Sequence, residues 1–195
     1  MQTVANTIFP QAIYELHGAP ALYDVYLTKV FPKIKRSGDW GRYFERMISF
    51  PKEKRDREPL NPLKDLVSKM RENLEHDRTF KNIYALTIFD PVRDAGRQMN
   101  RQCLSFLSFK LTDDRRIILT AVYRNHYYIQ RLLGNLIGLG NLMSFVAAET
   151  GAAVGPLTVV STHAEIDTGG TRGELSEMLG RCAAIQTLGC SQPRH

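Results

Sequence analysis

Apolar and polar residues recur along this chain with two spacings, which predict helices in its first half and strands mainly in its second. Residues 3–17 place apolar side chains three and four positions apart, as on one face of a helix. Gly18 with Pro20 is expected to end this helix. A second helical pattern follows and is expected to end before Pro32. The N-terminal segment is therefore interpreted as two helices.

The clearest helix signal begins at Asn61, a residue type that caps helices, with Pro62 in the first helical position. The preceding segment 51–62 is the most polar in the chain and predicts a surface loop. The basic segment 33–47 predicts a loop with a short helix. Beyond Pro62 one apolar stripe is formed by Leu63, Leu66, Val67, Met70 and Leu74.

The strand patterns lie close together in sequence. Cys103–Leu111 and Ile117–Tyr123 predict two strands joined by a polar turn. Segment 81–89 is also rich in strand-forming residues, 91–100 predicts a loop, and 157–162 predicts a buried strand. The period of two places one set of side chains on a common face, namely Cys103, Ser105, Leu107 and Phe109.

An apolar helix pattern over residues 130–149 contains Gly134, Gly138 and Gly140. Glycine inside a helix costs about 1 kcal/mol against alanine, so we expect close packing against a sheet or a ligand. A short amphipathic helix is predicted at Glu174–Cys182, and residues 183–195 are expected to be a frayed tail. Together the patterns predict an α+β fold in a single domain, 1–195.

Composition narrows the class of protein. The chain has 195 residues, enough for one buried core, and its 43% apolar and 24% charged content is ordinary for a globular protein. No run of 18 apolar residues is found, so we expect no membrane segment. Three cysteines form no C-x-x-C pair, which favours a reducing, cytoplasmic location.

The net charge of +6 raises the question of nucleic-acid binding. The basic residues are interleaved with acidic ones and match no nucleic-acid-binding motif, so we do not expect a nucleic-acid partner. A solvated basic surface or a small phosphorylated substrate accounts for the charge.

Residue patterns alone leave the chemistry open. Cys103 is either a small buried apolar residue or a nucleophile. Arg124 ends a strand, where it could lower a thiol pKa, bind phosphate or simply face solvent. His163 follows a buried strand and is either a ligand contact or a structural histidine. No cluster with metal-ligand spacing was identified, and no metal is expected.

The order and spacing of these residues resemble the thymidylate synthase family. Cys103 opens a strand, and Arg124 stands in the family's Tyr-Gln-Arg-Ser position at the end of the next. Asn135 follows eleven residues later on a helix, and His163 matches the family's Asp-x-His-x-Tyr strand end. The upstream GDWGRYFERM segment resembles the family's Gly-x-Leu-Gly-x-x-Tyr-Gly-x-Gln-Trp, which places Tyr43 near the active site.

The resemblance implies a thymidylate synthase-like fold, with a mixed sheet packed by helices. It also implies folate-dependent transfer of a one-carbon unit to C5 of a pyrimidine nucleotide. Cys103 would form a covalent adduct with the substrate, Tyr43 would assist, and 5,10-methylenetetrahydrofolate would be the cofactor. The product would be methylated or hydroxymethylated, and the enzyme would be a homodimer. Asn135 would read the pyrimidine edge, because an amide both donates and accepts.

Several positions differ from the family pattern. Asn125 stands where the family has serine after the arginine, and Glu165 stands where a tyrosine binds the sugar hydroxyl. Lys81 replaces part of the arginine pair that reaches across the dimer to the phosphate, and Arg78 lies nearby. All four are expected to contact substrate, with Arg124, Asn135 and His163.

Two further differences concern chemistry rather than substrate contact. Leu104 follows the cysteine where the family has histidine, and Tyr127 stands where an aspartate meets the folate. These differences keep a second interpretation open, in which the chain is a catalytically degenerate nucleotide-binding or dimerisation module that retains the fold.

Overall fold

The structure, a computed structural model, describes residues 2–36, 43–50, 59–96, 101–167, 173–174, 176–177 and 180–181. It contains helices and a mixed β-sheet, which confirms the α+β prediction. The predictions made for residues 51–58 and for the tail 183–195 lie outside the described residues. The same holds for four of the nine residues of the predicted helix Glu174–Cys182; the other five, namely 174, 176, 177, 180 and 181, are helical.

The N-terminal region is more continuously helical than the sequence predicts. Helix α1 (Gln2–Ile8) ends where Pro10 interrupts the backbone, and α2 (Gln11–Val25) bends at Gly18, whose φ is +71°. A π-turn, Tyr26–Val30, then leads directly into α3 (Phe31–Arg36). The expected helix end before Pro32 is wrong, because helical backbone continues through Pro32; the π-helical segment directly before it supplies the local irregularity that can accommodate a proline.

Helices α4 (Tyr43–Ile48) and α5 (Pro62–Glu75) follow. The predicted start of α5 is confirmed, since the Asn61 side chain accepts a hydrogen bond from the Lys64 backbone at 2.9 Å. All five residues of its predicted apolar stripe are buried. The loop expected over 91–100 contains a short helix, α6 (Pro91–Asp94), which the Asp90 side chain caps.

Four strands form the main sheet, in the order β1-β2-β3-β5. Strands β1 (Ala85–Thr87), β2 (Leu104–Leu111) and β3 (Arg116–Tyr123) are antiparallel, and β5 (Ala153–Ser161) pairs parallel to β3. The buried strand predicted at 157–162 is instead an edge strand whose residues are half-buried or exposed. The apolar composition of this segment predicts a strand buried on both faces, but only one face of β5 packs against the core.

The long helix α7 (Leu133–Thr150) joins β3 to β5 and is preceded by a second π-turn, Tyr128–Leu132. A Cβ atom at Gly138 would lie 2.7 Å from the Ala5 carbonyl oxygen and 2.9 Å from Ile8 Cβ. The close packing inferred from the glycines is therefore real at Gly138, but the partner is helix α1 rather than the sheet or a ligand.

The helical segment Tyr128–Thr150 is long and apolar enough, by length and composition alone, to cross a membrane. Half of its most apolar window is buried inside the molecule, and a core helix passes the same test. Its buried side chains belong to the single apolar core cluster formed by the helices and one face of the sheet.

A network of buried ion pairs joins α4 to α6. The Arg46 guanidinium donates to both carboxylate oxygens of Asp94, at 2.9 and 3.1 Å, and to the Ile88 carbonyl at 3.3 Å. Asp94 also accepts a hydrogen bond from the Asp90 backbone, and Arg93 donates twice to Glu45 at 3.2 Å. This network fixes α4, and with it Tyr43, against the loop that follows β1.

Candidate functional site

The candidate site lies at the end of the sheet where β2 begins and β3 ends. A β-bulge between Leu104 and Phe106 shifts the register of β2 against β3. Because of this bulge, Leu104 and Leu107 are both buried, whereas Cys103 and Ser105 are half-buried. The predicted common face of Cys103, Ser105 and Leu107 is therefore wrong. A bulge at such a position redirects the side chains before it.

The Cys103 thiol is partly buried against the core and lies in the electrostatic field of two arginines. Burial raises the pKa of the Cys103 thiol, and the charges of Arg124 and Arg131 oppose that rise without cancelling it. The thiol is consequently protonated at neutral pH, with two cations nearby that would stabilise a thiolate once it forms.

Arg124 links the end of β3 to the residues before β2. Its backbone N–H donates to the Cys103 carbonyl at 2.8 Å, and its guanidinium donates to the Gln102 carbonyl through Nε at 3.2 Å and Nη2 at 2.7 Å. The side chain is half-buried. Nε and Nη2 thus hold Gln102–Cys103 in place, while Nη1 is left to bind an anionic ligand.

Two buried phenols face the same thiol. The oxygen of Tyr43, at the start of α4, accepts hydrogen bonds from the backbone of Leu104 and Cys103. Burial raises the pKa of Tyr43 to about 12, and the pKa of Tyr123 is raised well above its usual value, also by burial. Both hydroxyls therefore stay protonated and can donate. Tyr43, which the resemblance predicts near the active site, thus lies within electrostatic range of Cys103.

Several polar atoms around Cys103 have no hydrogen-bond partner. Among the described residues, five buried side-chain oxygens lack one, and three of them belong to residues at the end of the sheet where β2 begins and β3 ends; of these, Tyr123 is in electrostatic contact with the thiol. These three are Gln102 Oε1, the Tyr123 hydroxyl and Asn125 Oδ1. Buried polar groups in native proteins are nearly always paired, and an exception calls for an explanation such as a ligand or a functional role.

A hydrogen-bonded row lies behind the phenols. The His126 ring, 1% exposed, stacks on Tyr123 with centroids 4.3 Å apart and planes inclined by 7°. Its Nδ1 lies 3.0 Å from Ser161 Oγ and its Nε2 lies 2.9 Å from Asn135 Nδ2. Burial lowers the pKa of His126, so the ring is neutral at pH 7. Asn135, which the resemblance predicts to read the pyrimidine edge, is thus hydrogen-bonded to the buried His126 ring.

The end of this region is closed by a two-stranded parallel sheet, β4 (His126–Tyr127) with β6 (Ala164–Glu165). The His126 backbone N–H donates to the His163 carbonyl at 3.0 Å, while the His163 side chain is exposed. Glu165 pairs with Tyr127 across the two strands, and both side chains are exposed. The structure therefore brings His163 and Glu165 near the predicted site residues of β3 and β4.

Arg78 and Lys81 do not join this group within one chain. They lie between α5 and β1, where Lys81 pairs with Asp113 in the β2–β3 turn at 3.5 Å. Lys110, near the far end of β2, donates to the Lys81 carbonyl. Since a strand rises about 3.4 Å per residue, this turn is on the order of 25 Å from Cys103.

Sequence reasoning missed Arg131, Tyr123 and His126. Arg131 stands four residues before Asn135, the spacing of one helical face, so a signal was present in the sequence. Tyr123 and His126 carried no such signal, because their importance comes from stacking and from a hydrogen bond to a distant strand. Within the described part of the chain, no group of three or more His, Cys, Asp or Glu side chains is placed to hold a metal ion.

Sequence similarity to known proteins covers part of this chain. No family model matches this chain. It is 29% identical over 102 residues to a protein of Methanosarcina barkeri named "Putative thymidylate synthase". The matched residues make up 52% of this chain and 46% of that protein. A protein of the same name from Methanothermobacter thermautotrophicus is 33% identical over 81 residues, 42% of this chain and 36% of that protein. A third, from Methanococcoides burtonii, is 28% identical over 102 residues.

The matched region thus spans about half of this chain, and the chain spans about half the length of the curated relatives it matches. About half of this chain is therefore similar to proteins that carry the name putative thymidylate synthase. The names do not extend to individual residues.

Proposed function

We propose that this protein is a thymidylate synthase-like enzyme that transfers a one-carbon unit to C5 of a pyrimidine nucleotide through a Cys103 adduct. The observation that carries the proposal is the polar surrounding of the Cys103 thiol. Two guanidinium groups act on it, and three buried polar atoms at the same end of the sheet lack partners. A polar ligand with an anionic group would satisfy such a cluster. The names of the similar proteins point to the same chemistry.

In the proposed reaction the Cys103 sulfur adds to C6 of the pyrimidine ring. The S–H proton is lost to solvent or to a base on the ligand, a C–S bond forms, and the C5–C6 electron pair moves to C5. Once C5 has acquired the carbon, C5 loses its proton, the C–S bond breaks, and the Cys103 thiolate leaves as the C5–C6 double bond forms again. Arg124 and Arg131 stabilise the sulfur anion as it forms, which offsets part of the rise in thiol pKa that burial causes. Tyr43, neutral and fixed by the β2 backbone, donates a hydrogen bond beside the reacting centre.

Substrate contacts follow from the same arrangement. Arg124 Nη1 would bind the phosphate, and the unpaired Asn125 amide oxygen would accept from the ligand. Asn135 would read the pyrimidine edge. Glu165 could accept hydrogen bonds from the sugar hydroxyls, with His163 beside it.

The residues near β4 fit a folate chemically. A pterin and its aromatic tail need an apolar surface with a nearby hydrogen-bond acceptor for the pterin N–H groups. Asp167 supplies a carboxylate there, and it accepts a hydrogen bond from the Gln130 backbone at 3.3 Å. The exposed apolar side chains of this region are Tyr127, Tyr128, Ile129, Leu133 and Ile137. When bound there, 5,10-methylenetetrahydrofolate would supply the carbon that C5 acquires.

We also propose a homodimer formed through the outer face of the main sheet. On that face one row of neighbouring residues crosses all four strands without a charge: Thr87, Phe106, Val122 and Val160. Phe106 is 37% exposed and Val160 is 43% exposed. A second copy would cover this face, and Arg78 and Lys81, which lie far from Cys103 in their own chain, could then serve the site of the partner.

Sedimentation velocity tests the dimer. Val122→Glu places a charge in the centre of the proposed interface and is expected to yield a monomer. Leu16→Glu makes the same apolar-to-acidic change on α2, at a residue that is 76% exposed, and should leave the dimer intact. A wild-type monomer at micromolar concentration, or a dimeric Val122→Glu variant, contradicts the proposal.

One observation favours the alternative function, a catalytically degenerate nucleotide-binding module. The pKa of the Cys103 thiol is raised rather than lowered. Two of the Arg124 donors are hydrogen-bonded to the Gln102 carbonyl and so do not face a ligand. A ligand-bound thermal-shift series separates the two functions. A nucleotide that raises the melting temperature, with neither folate binding nor turnover, supports the module.

Release of tritium from C5 tests the enzymatic proposal. UMP, dUMP, CMP and dCMP labelled at C5 are each incubated with the protein and 5,10-methylenetetrahydrofolate. At least one is expected to release tritium, and Cys103→Ala should lower the rate by at least about 1,000-fold, as expected for loss of a covalent nucleophile. Cys182→Ala and Cys190→Ala are matched controls that should keep activity. No release from any of the four, or undiminished release with Cys103→Ala, contradicts the proposal.

A further inference from the structure

The Tyr123 hydroxyl is a buried polar group whose lack of a partner calls for an explanation. The side chain is fully buried, and among the described residues the hydroxyl oxygen has no hydrogen-bond partner. A hydroxyl removed from water without a partner destabilises the folded state, so native proteins retain few such groups. When such a group lies beside a reactive side chain, it is a candidate for a role in the reaction.

Strand pairing places Tyr123 next to the residue that carries the thiol. Tyr123 is the Cα partner of Leu104 across β2 and β3, and the following residue, Arg124, donates its backbone N–H to the Cys103 carbonyl at 2.8 Å. Cys103 is half-buried and packs against the apolar core cluster that contains Tyr123. The Tyr123 hydroxyl and the Cys103 thiol are in electrostatic contact. The unpaired hydroxyl therefore lies at the proposed nucleophile.

The Tyr123 ring is held in place by its neighbours. The His126 ring stacks on it with centroids 4.3 Å apart and planes inclined by 7°. The Tyr123 carbonyl accepts a hydrogen bond from the Thr162 backbone at 2.9 Å, which joins the end of β3 to the end of β5. Burial raises the pKa of Tyr123 well above its usual value, so the hydroxyl keeps its proton. The ring therefore presents an O–H donor in a fixed position.

The titratable groups that act on the thiol from neighbouring elements are two cations and two phenols. Arg124 at the end of β3 and Arg131 in the second π-turn carry the positive charges. The Tyr43 oxygen on α4 already accepts backbone hydrogen bonds at the start of β2, whereas the Tyr123 oxygen has no partner. A neutral thiol accepts hydrogen bonds only weakly, but a thiolate, like other ionised acceptors, accepts strong ones. The Tyr123 hydroxyl is thus suited to pair with the sulfur after ionisation.

We propose that Tyr123 is a positioning residue whose hydroxyl donates a hydrogen bond to the Cys103 sulfur once the thiol has lost its proton. The tyrosine keeps its own proton, and the S–H proton leaves to solvent or to a base on the ligand. The hydroxyl is therefore unpaired in the resting site and paired in the reactive one. The inference goes beyond the proposed function, because it concerns the reactivity of the thiol towards any electrophile and does not require the ligand to be a pyrimidine.

Alkylation of Cys103 by iodoacetamide from pH 6 to pH 10 tests the inference in the full chain carrying Cys182→Ser and Cys190→Ser. Tyr123→Phe keeps the ring and its stacking on His126 and removes only the hydroxyl. It should lower the acid dissociation constant of the thiol by about tenfold, the effect of one hydrogen bond to a charged group. A less acidic thiol gives a more nucleophilic thiolate, so the rate at pH 7 should fall by only about threefold. The difference should narrow as the pH rises and both thiols ionise.

Carbon-13 spectra of the Cys103 Cβ atom, in the same background made with labelled cysteine, give the titration of the thiol directly. Tyr123→Phe should move the midpoint of this titration to higher pH. Tyr84→Phe is the matched control, because it removes the hydroxyl of another buried tyrosine, whose partner is the Asn73 amide at 2.7 Å. It should leave both the titration and the alkylation profile of Cys103 unchanged, although it destabilises the fold.

Three results would overturn the inference. An unchanged thiol titration in Tyr123→Phe would show that the hydroxyl does not bond to the thiolate. Alkylation slowed by the same factor at every pH would show that the substitution alters access to the thiol and not its ionisation. A titration shifted by Tyr43→Phe but not by Tyr123→Phe would make the other phenol the donor. None of these measurements uses a nucleotide, so their failure leaves the proposed function standing, and a lack of tritium release leaves this inference standing.

Discussion

Two buried polar clusters flank helix α4, and they differ in how completely their groups are paired. In the ion-pair network of Arg46, Asp94, Arg93 and Glu45, both carboxylates accept two hydrogen bonds from a guanidinium. Around Cys103, by contrast, Gln102, Tyr123 and Asn125 each have a buried oxygen without a partner, and the thiol is protonated despite two nearby cations.

The contrast indicates different roles for the two clusters. A fully paired network has nothing to offer a ligand, and removing one member leaves the others buried and unpaired. In an incompletely paired cluster the polar groups are already removed from water but lack hydrogen bonds. A ligand that supplies those hydrogen bonds therefore binds favourably. The first cluster is therefore expected to determine stability and the second to determine binding.

The largest expected effect is the loss of the ion-pair network. Asp94→Ala should lower the free energy of unfolding by about 3–5 kcal/mol, because the Arg46 guanidinium, 5% exposed, would remain buried without its carboxylate. Urea denaturation measures the change. Asp65→Ala removes the carboxylate of an exposed pair with Lys69 and should cost at most about 1 kcal/mol. Equal effects of the two substitutions would contradict the comparison.

Two tyrosine hydroxyls provide a direct test of pairing. Tyr84 and Tyr123 are both buried, but only the Tyr84 hydroxyl has a partner, the Asn73 amide nitrogen at 2.7 Å. Tyr84→Phe should cost about 1–3 kcal/mol, since Asn73 is left unpaired. Tyr123→Phe should change the free energy of unfolding by less than about 0.5 kcal/mol or raise it. A loss of comparable size in both variants would show that the Tyr123 hydroxyl is paired after all.

Acid should destabilise the network in a predictable direction. Burial tends to raise the pKa of Asp94, but the hydrogen bonds from Arg46 and the Asp90 backbone, together with the charges of Arg46 and Arg93, outweigh it, so the pKa is lowered overall. A carboxylate whose pKa is lower in the folded state contributes stability above its unfolded pKa, near 3.9, and loses that contribution as the pH falls through its folded pKa. The free energy of unfolding, measured from pH 6 down to pH 2, should therefore fall less steeply for Asp94→Asn than for the wild type.

The smallest expected effect concerns the thiol. In a Cys182→Ser, Cys190→Ser background, Cys103 should react with iodoacetamide slowly at pH 7 and faster as the pH rises above 9, because burial raises its pKa. Arg131→Gln should slow the reaction at a given pH by roughly two- to fivefold, since one stabilising charge is lost. Arg116→Gln, at the opposite end of β3, is the matched control. A fast reaction at pH 7 would mean that the arginine charges already offset the effect of burial on the thiol pKa, and would contradict the prediction.

Local sequence signals predicted those parts of the fold that depend on neighbouring residues. Asn61, Pro62 and the apolar stripe of α5 were sufficient for that helix, and the β2–β3 hairpin followed from its two strand patterns. Long-range pairing was not accessible in the same way. The edge position of β5 depends on the register of other strands, and composition alone indicated a buried strand.

The candidate site shows the same limit. Cys103, Arg124 and Tyr43 come together as the resemblance implied, because each is tied to a strand or helix end. The bulge before Phe106 could not be read from the alternation of apolar residues, since it interrupts that alternation. His126 escaped notice because its partners, Asn135 and Ser161, come from elements that meet only in the folded chain.

The contact of helix α1 with Gly138 has a consequence for synthesis of the protein. Once synthesised, helix α1 finds this packing partner only after roughly 130 further residues, which at 5–20 residues per second takes on the order of ten seconds. During that time Ala5, Ile8 and Phe9, all fully buried in the finished fold, lack the cover that α7 provides. A nascent chain paused before α7 would therefore present this apolar helix to chaperones, and a contact so distant in sequence is expected to slow folding.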